Sequence, residues 1–203
     1  MTGLDLIQIL IGMAVLIASL SFHEAAHAWA ADRLGDPTAR LLGRLSLNPA
    51  VHVDPIGTLL FPLIAISTGL PLIGWAKPVP VNSRRLRSPK RDFALIAAAG
   101  PISNLVLAVL AAILLSVVPT EGLIRNTLGF FVLLNVLLAV FNMVPVPPLD
   151  GGNVLIGVLP HTAGYAIERL RPYGFLLLYA LMLSGVLTWM TRPVQSAILR
   201  WLL

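Results

Sequence analysis

The 203-residue sequence contains no cysteine. Disulfides, thiolate nucleophiles and cysteine-type zinc sites are therefore excluded, and any metal must be held by His, Asp or Glu. Charge is scarce too: 11% of the residues are Asp, Glu, Lys or Arg, against about 25% in a soluble domain. With 57% hydrophobic residues and a mean hydropathy of +0.88, the composition excludes a soluble globular protein. The length suits one domain over 1–203, with little room for a regulatory module. A net charge of +5 and a pI near 10.4 would suggest nucleic acid in a soluble chain. In a membrane protein the same surplus is a topology signal, and no nucleic-acid partner is expected.

A bilayer core of roughly 30 Å needs about 20 apolar residues in a helix. Five stretches qualify: Leu6 to Ala31, Pro55 to Ala76, Phe93 to Thr120, Asn126 to Leu149 and Pro172 to Thr191. The first lacks the basic start and short apolar run of a signal peptide, since the only charge before His23 is Asp5, and it reads as a retained helix. The second is interrupted by Pro55, Pro62, Pro71, Gly57, Gly69 and Gly74. A regular helix would lose backbone bonds at those prolines, so the segment reads as re-entrant, with a Pro-kinked span as the alternative. Charge supports re-entry: basic residues flank the segment on both sides, from Arg33, Arg40 and Arg44 to Lys77 and the run Arg84 to Arg91, and positive loops prefer the cytoplasm. With the N-terminus outside, eleven of the 14 Lys and Arg residues fall on the cytoplasmic side. The expected fold is an all-α polytopic membrane protein with about four to five transmembrane helices plus the re-entrant segment. Pro193 is expected to end the last span, leaving Val194 to Leu203 as a short interfacial helix. The tryptophans Trp29, Trp75, Trp189 and Trp201 read as an interfacial belt.

Between Asp5 and Asp32 the only ionisable residues are His23, Glu24 and His27, in the order His-Glu-Ala-Ala-His. Such groups inside a membrane are costly and mark function by default. Residues four apart share a helix face, so His23 and His27 can direct both imidazoles at one metal ion while Glu24, about 100° round the helix, stays near a bound water. This is the HExxH arrangement of zinc peptidases. Two structural histidines bridged by water or backbone would leave the cost of burying two imidazoles and a carboxylate unexplained.

A catalytic zinc usually takes three protein ligands. Candidates for the third are His52, Asp54, Asp150 and His161, which sit beside apolar segments without an evident charge partner in sequence. Asp150 stands out because three prolines, Pro145, Pro147 and Pro148, precede it and two glycines, Gly151 and Gly152, follow. A helix would end there and a tight turn begin. Capping a short helix that starts near Asn153 is the alternative role for Asp150. His52 and His161 read as loop histidines, His52 bonding backbone.

These pieces resemble the site-2 protease family of intramembrane zinc metalloproteases, in its compact prokaryotic branch. The matching residues are Phe22 to His27, Ala99-Gly100-Pro101-Ile-Ser-Asn104, and Asn142 to Gly152 with Leu149-Asp150-Gly151. The resemblance implies a zinc-dependent endopeptidase that hydrolyses peptide bonds in or near transmembrane segments. His23, His27 and Asp150 would hold one Zn2+ per subunit, and Glu24 would be the general base for a zinc-activated water. Asn104 and Asn142 match polar positions of the family's cavity and are carried over as substrate contacts. No PDZ or CBS module fits in the length. Expected partners are transmembrane proteins or peptides and the lipid bilayer, and the expected location is the plasma membrane, multi-pass, with the active site facing the cytoplasm. The rival readings are a membrane metal transporter and a non-cleaving scaffold that binds clients. A transporter leaves Glu24 within HExxH unexplained.

Overall fold

The computed structural model describes residues 6–68 and 74–203. The helices, in order, are α1 (Leu6–Arg33), α2 (Thr38–Leu41), α3 (Phe61–Thr68), α4 (Pro89–Leu115), α5 (Leu123–Asn142), α6 (Asp150–Val158), α7 (His161–Glu168), α8 (Gly174–Leu183) and α9 (Val186–Leu202). No strand occurs among the described residues. Helices α1, α4 and α5 have 28, 27 and 20 residues, which is about 42, 40 and 30 Å at 1.5 Å per residue. Each is long and apolar enough to cross a membrane. The chain is an all-α, multi-pass membrane protein.

Helix α4 packs against α1, α5 and α6 and so forms the centre of the bundle. Lipid tails are as apolar as leucine, so helices in a bilayer associate through close packing of small residues rather than through hydrophobic exclusion. Ala108 and Ala111 of α4 accordingly meet Val132 and Val136 of α5 in one buried cluster. Ala30 and Ala31 of α1 meet Ile96 of α4 in a second. Val15 and Leu16 of α1 meet Leu134 of α5 in a third. These contacts bring the middle of α1, where the histidines lie, against α4 and close to the end of α5.

The 55–76 stretch leaves and returns at one place. It opens with a π-helical turn, Pro55–Leu60, capped by Asp54, whose side chain accepts from the backbone of Ile56 and Gly57. It continues as α3, and residues 69–73 lie outside the described residues. On the way back, the Trp75 N–H donates to the Gly57 carbonyl at 3.2 Å, the Thr58 hydroxyl donates to the Trp75 carbonyl at 2.8 Å, and the Lys77 N–H donates to the His52 carbonyl at 2.8 Å. A single spanning helix would separate these ends by about 30 Å, so their pairing is incompatible with a kinked span. Gly57 is required here, because a Cβ on it would lie 2.5 Å from the Trp75 ring. Trp75 is half-buried, packed against Phe61 of the loop and Phe175 of α8 at ring-centroid distances of 5.2 and 5.9 Å.

The last apolar stretch differs from expectation. Residues 172–191 do not form one straight span: α8 has ten residues, about 15 Å, and the path turns by 76° into α9. The turn is made at Gly185, whose φ of +76° is the left-handed conformation that glycine adopts without steric cost. Among the described residues, three helices are long and apolar enough to cross by themselves, and a fourth crossing requires the bent pair to act as one span. Pro193, expected to end a helix, lies inside α9 instead. It forfeits one backbone bond there, while Ile198, Leu199 and Leu202 further along pack on the α4–α5 cluster and hold the helix in place.

Candidate metal centre

In α1, residues four apart place the His23 and His27 imidazoles on one face, with ring centroids 4.7 Å apart. That face meets α4 at Gly100. A Cβ at that position would lie 2.6 Å from His23 Nε2 and even closer to His27 Nε2, so a glycine leaves the space that the two rings occupy. Pro101 follows it inside α4 and lacks the N–H that would bond the Ala97 carbonyl. In the same turn, the carbonyl of Ile96 accepts from His27 Nδ1 at 2.7 Å.

Asp150 arrives from 127 residues further along the chain. Helix α5 ends at Asn142, the prolines keep residues 145–148 out of a helix, and α6 begins at Asp150 itself. The N-cap of α6 is Leu149 and Asp150 is its first helical residue, which removes the capping role. Gly151 and Gly152 belong to the first turn of α6 and not to a tight turn. Their lack of a side chain lets that helix nest on the backbone of Met143 to Pro147, where a Cβ on Gly152 would come within 2.5 Å of the Pro147 nitrogen.

The result is a triangle. Asp150 Oδ2 lies 3.1 Å from His23 Nε2 and 3.4 Å from His27 Nε2, and the two Nε2 atoms are 3.1 Å apart. Donor atoms around a tetrahedral zinc with bonds of about 2.0–2.1 Å sit about 3.3 Å from one another. Tautomers agree with this geometry. The Ile96 carbonyl can only accept, so His27 carries its proton on Nδ1, and His23 Nδ1 donates to Asn104 Oδ1 at 2.6 Å. Both Nε2 atoms then present lone pairs to each other and to a carboxylate. Three electron-rich atoms brought together in a buried place fit a cation, and the donor set of two imidazoles and one carboxylate suits zinc.

Glu24 is buried at the edge of this cluster and lines a cavity of about 550 Å3. One of its oxygens, Oε2, accepts the backbone N–H of Val79 at 3.1 Å. Val79 sits in the extended segment 75–82 that leads out of the re-entrant loop. This segment is held at three points. Buried Arg44 donates through Nη2 to the Lys77 carbonyl and to the Pro78 carbonyl, the latter at 3.3 Å. The Asn82 N–H donates to Asp36 Oδ2 at 2.6 Å, and the Lys77 N–H is taken by His52. Burial alone would raise the Asp36 carboxyl, but hydrogen bonds from Thr38 and Asn82 and the charge of Arg85 outweigh it and hold the group below its ordinary value.

The cavity walls include Gly57 and Trp75 of the loop and Pro148 of the proline run. The proline run offers few donors for pairing with an extended chain. Its prolines carry no N–H, and the N–H groups of Val144, Val146 and Leu149 bond to Phe141, Val144 and Val146. Asn142 lies on the cavity wall and donates to the Leu138 carbonyl at 3.0 Å. Asn104 does not reach the cavity. It is fully buried behind His23, which corrects its assignment as a substrate contact: its oxygen is occupied by the imidazole. His52 is buried and donates from Nε2 to the Ser46 carbonyl at 2.7 Å, away from the triangle. His161 is an exposed first residue of α7.

Sequence reasoning missed Asn135, Ser19, Gly100, Arg44 and Val79. For Asn135 a signal existed, since it is the lone strongly polar side chain between Thr127 and Asn142 in an apolar helix. Nothing local marks Arg44 or the Val79 amide, whose roles depend on chain segments far away.

The sequence profile of peptidase family M50 matches residues 118–184, a region that includes Asp150. Similar proteins extend the match. The "Putative zinc metalloprotease YwhC" of Bacillus subtilis is 34% identical over 191 residues, covering 90% of this chain and 84% of that protein. The "Putative zinc metalloprotease Rip2" of Mycolicibacterium smegmatis is 31% identical over 176 residues, covering 84% of this chain and 66% of that protein. The "Putative zinc metalloprotease Rip3" of Mycobacterium tuberculosis is 31% identical over 160 residues, covering 77% of this chain and 33% of that protein. No solved structure matches the chain. Identity of 34% along nearly the whole length takes the likeness well beyond three short motifs, and the chain belongs to peptidase family M50, the site-2 protease family.

Proposed function

We propose that the chain is a zinc-dependent intramembrane endopeptidase that hydrolyses peptide bonds in or near transmembrane segments of membrane proteins. His23, His27 and Asp150 hold one zinc ion per chain, and Glu24 is the general base. The observation that carries this reading is the triangle of His23 Nε2, His27 Nε2 and Asp150 Oδ2, with sides of 3.1–3.4 Å. The names of the YwhC and Rip2 relatives support zinc proteolysis. When bound, zinc supplies a Lewis acid that lowers the pKa of water to about 7 and polarises a carbonyl.

The protein's own residues do the rest. Val79 occupies one oxygen of Glu24, leaving the other to take a proton from water and return it to the leaving amine. The buried setting of His23, Glu24 and His27 excludes bulk water and strengthens each electrostatic contact there. Leu16, Leu20, Leu137 and Phe141 give the cavity apolar walls, which suit a segment drawn from the bilayer. Asn142 on that wall contacts the substrate backbone. A substrate helix must unwind before a carbonyl can reach the centre, so helix-weakening residues near the cut favour cleavage. The basic clusters on both sides of the re-entrant segment put that face, the end of α1 and the site towards the cytoplasm of a plasma membrane, with the N-terminus outside.

Purified protein incubated with a tagged transmembrane substrate, with and without a zinc chelator, tests the reading. Cleavage that stops with chelator and returns with zinc is the expected result. Zinc binding without any cleavage would favour the transporter or scaffold.

A further inference from the structure

Behind His23, on the side away from Glu24, runs a file of buried polar side chains from three helices. Ser19 of α1, Asn104 of α4 and Asn135 of α5 are each fully buried. Asn135 Nδ2 donates to the Phe131 carbonyl and to Ser19 Oγ, both at 2.9 Å. A carbonyl can only accept, so these two bonds fix which end of the Asn135 amide is nitrogen. Its oxygen therefore faces Asn104, and it accepts from Asn104 Nδ2 at 2.8 Å. The same nitrogen approaches the Ser19 carbonyl at 3.4 Å. With Asn104 oriented in this way, its oxygen points at His23 Nδ1, 2.6 Å away.

Every bond in the file points one way. Flipping the Asn104 amide would set its oxygen against the oxygen of Asn135 and its N–H groups against the imidazole. An amide oxygen bears no proton, so the proton of the last bond belongs to His23 Nδ1. Nε2 is left as a lone pair, aimed at His27 and Asp150. We infer that Asn104, oriented by Asn135, is a positioning residue that holds His23 in the Nδ1–H tautomer, ready to ligate through Nε2. This rests on the reading of His23 as a zinc ligand and goes beyond it by naming what prepares that ligand.

The two histidines are prepared differently. His27 is set by a backbone carbonyl, Ile96, which no side-chain substitution removes. His23 depends on two amide side chains in other helices. Buried amides in a bilayer are costly unless all their groups are bonded, and apolar residues would pack α1, α4 and α5 more cheaply. A role confined to joining helices would leave zinc affinity unchanged when the file is broken, and this separates the two accounts.

The test uses the full chain in detergent, with folding checked by helix content and monodispersity, and zinc affinity read by competition with a chromophoric chelator. Asn104→Leu, which removes the acceptor at similar size, should weaken zinc binding by about 10–100-fold, the usual loss when such an outer hydrogen bond is removed. Asn104→Asp keeps an acceptor oxygen against His23 and, protonated on its other oxygen, can still donate to Asn135 Oδ1, so it should stay within a few-fold of wild type. Wild-type affinity in a folded Asn104→Leu, or equal loss in Asn104→Asp, would overturn the inference. Should Asn104→Leu fail to fold, the 15N spectrum of the zinc-loaded wild type decides, with the His23 signals identified by their absence from His23→Gln. A hydrogen-bonded proton on Nδ1 supports the inference, and a proton on Nε2 overturns it. A wild type that bound no zinc would instead sink the peptidase reading itself, which Glu24→Gln, expected to bind zinc normally without cleaving, checks independently.

Discussion

The backbone N–H of Val79 donates to Glu24 Oε2 at 3.1 Å across 55 residues of sequence. The proposed base thus stands between its own helix and the extended segment leading out of the re-entrant loop. The loop forms part of the cavity wall, and the segment that follows it holds the Glu24 carboxylate through Val79.

Glu24→Gln should retain zinc, because glutamine can still accept the Val79 N–H while losing only basicity. Cleavage should fall by about 10²–10⁴-fold, the usual weight of a positioned general base. His23→Ala, His27→Ala and Asp150→Ala should lose metal and activity together. Metal analysis alongside a cleavage assay separates the groups, and stoichiometric zinc with full activity in Asp150→Ala would refute its place as third ligand.

Gly100→Ala should lower zinc affinity, since the added carbon would meet both imidazoles. The matched control is Gly129→Ala, where nothing lies within 4 Å. Alanine favours a helix over glycine by roughly 0.5–1 kcal/mol, so neither change should cost helix content. Zinc titration of the two variants checks the contrast.

Arg44→Ala should release the carbonyls of Lys77 and Pro78 and loosen the extended segment that carries Val79. Its expected signature is a drop of about tenfold in kcat with zinc content intact, the loss of roughly 1.4 kcal/mol of orientation. Lysine at this position should rescue only in part, because it lacks the planar fork. Unchanged kcat in Arg44→Ala would separate this segment from catalysis.

Asp36 should make stability depend on pH. Its carboxyl lies below the ordinary value because Thr38 and Asn82 bond to the charged form. The unfolded chain therefore takes up a proton first, near pH 3.9, and the stabilisation, complete above that pH, is lost as acid reaches the lower folded value. Thermal unfolding of wild type and Asp36→Asn should differ most at neutral pH and converge under acid. A gap that widened below pH 4 would contradict the sign.

Some of this was legible in the residues alone. The apolar runs marked α1, α4 and α5, because a bilayer demands a certain length of uncharged helix wherever the chain crosses it. His23 and His27 declared a shared face because helical periodicity sets the angle between residues four apart. The interruptions at 55–76 and 145–148 were readable from proline's missing N–H. The stretch at 172–191 is bent rather than straight, which was not legible because hydropathy counts apolar residues and does not see a left-handed glycine that turns the path by 76° at Gly185.

Residue order determined which side chains within a helix look the same way and where helices must break, since both follow from local backbone geometry. Tertiary structure decided how helices are rotated and set against one another, because that depends on packing between distant segments. Packing brought Asp150 to the histidines, opened room for them at Gly100, and turned Asn104 from the cavity wall to the back of His23. No periodicity within one helix carries that information, and only the joined bundle of α1, α4 and α5 supplies it.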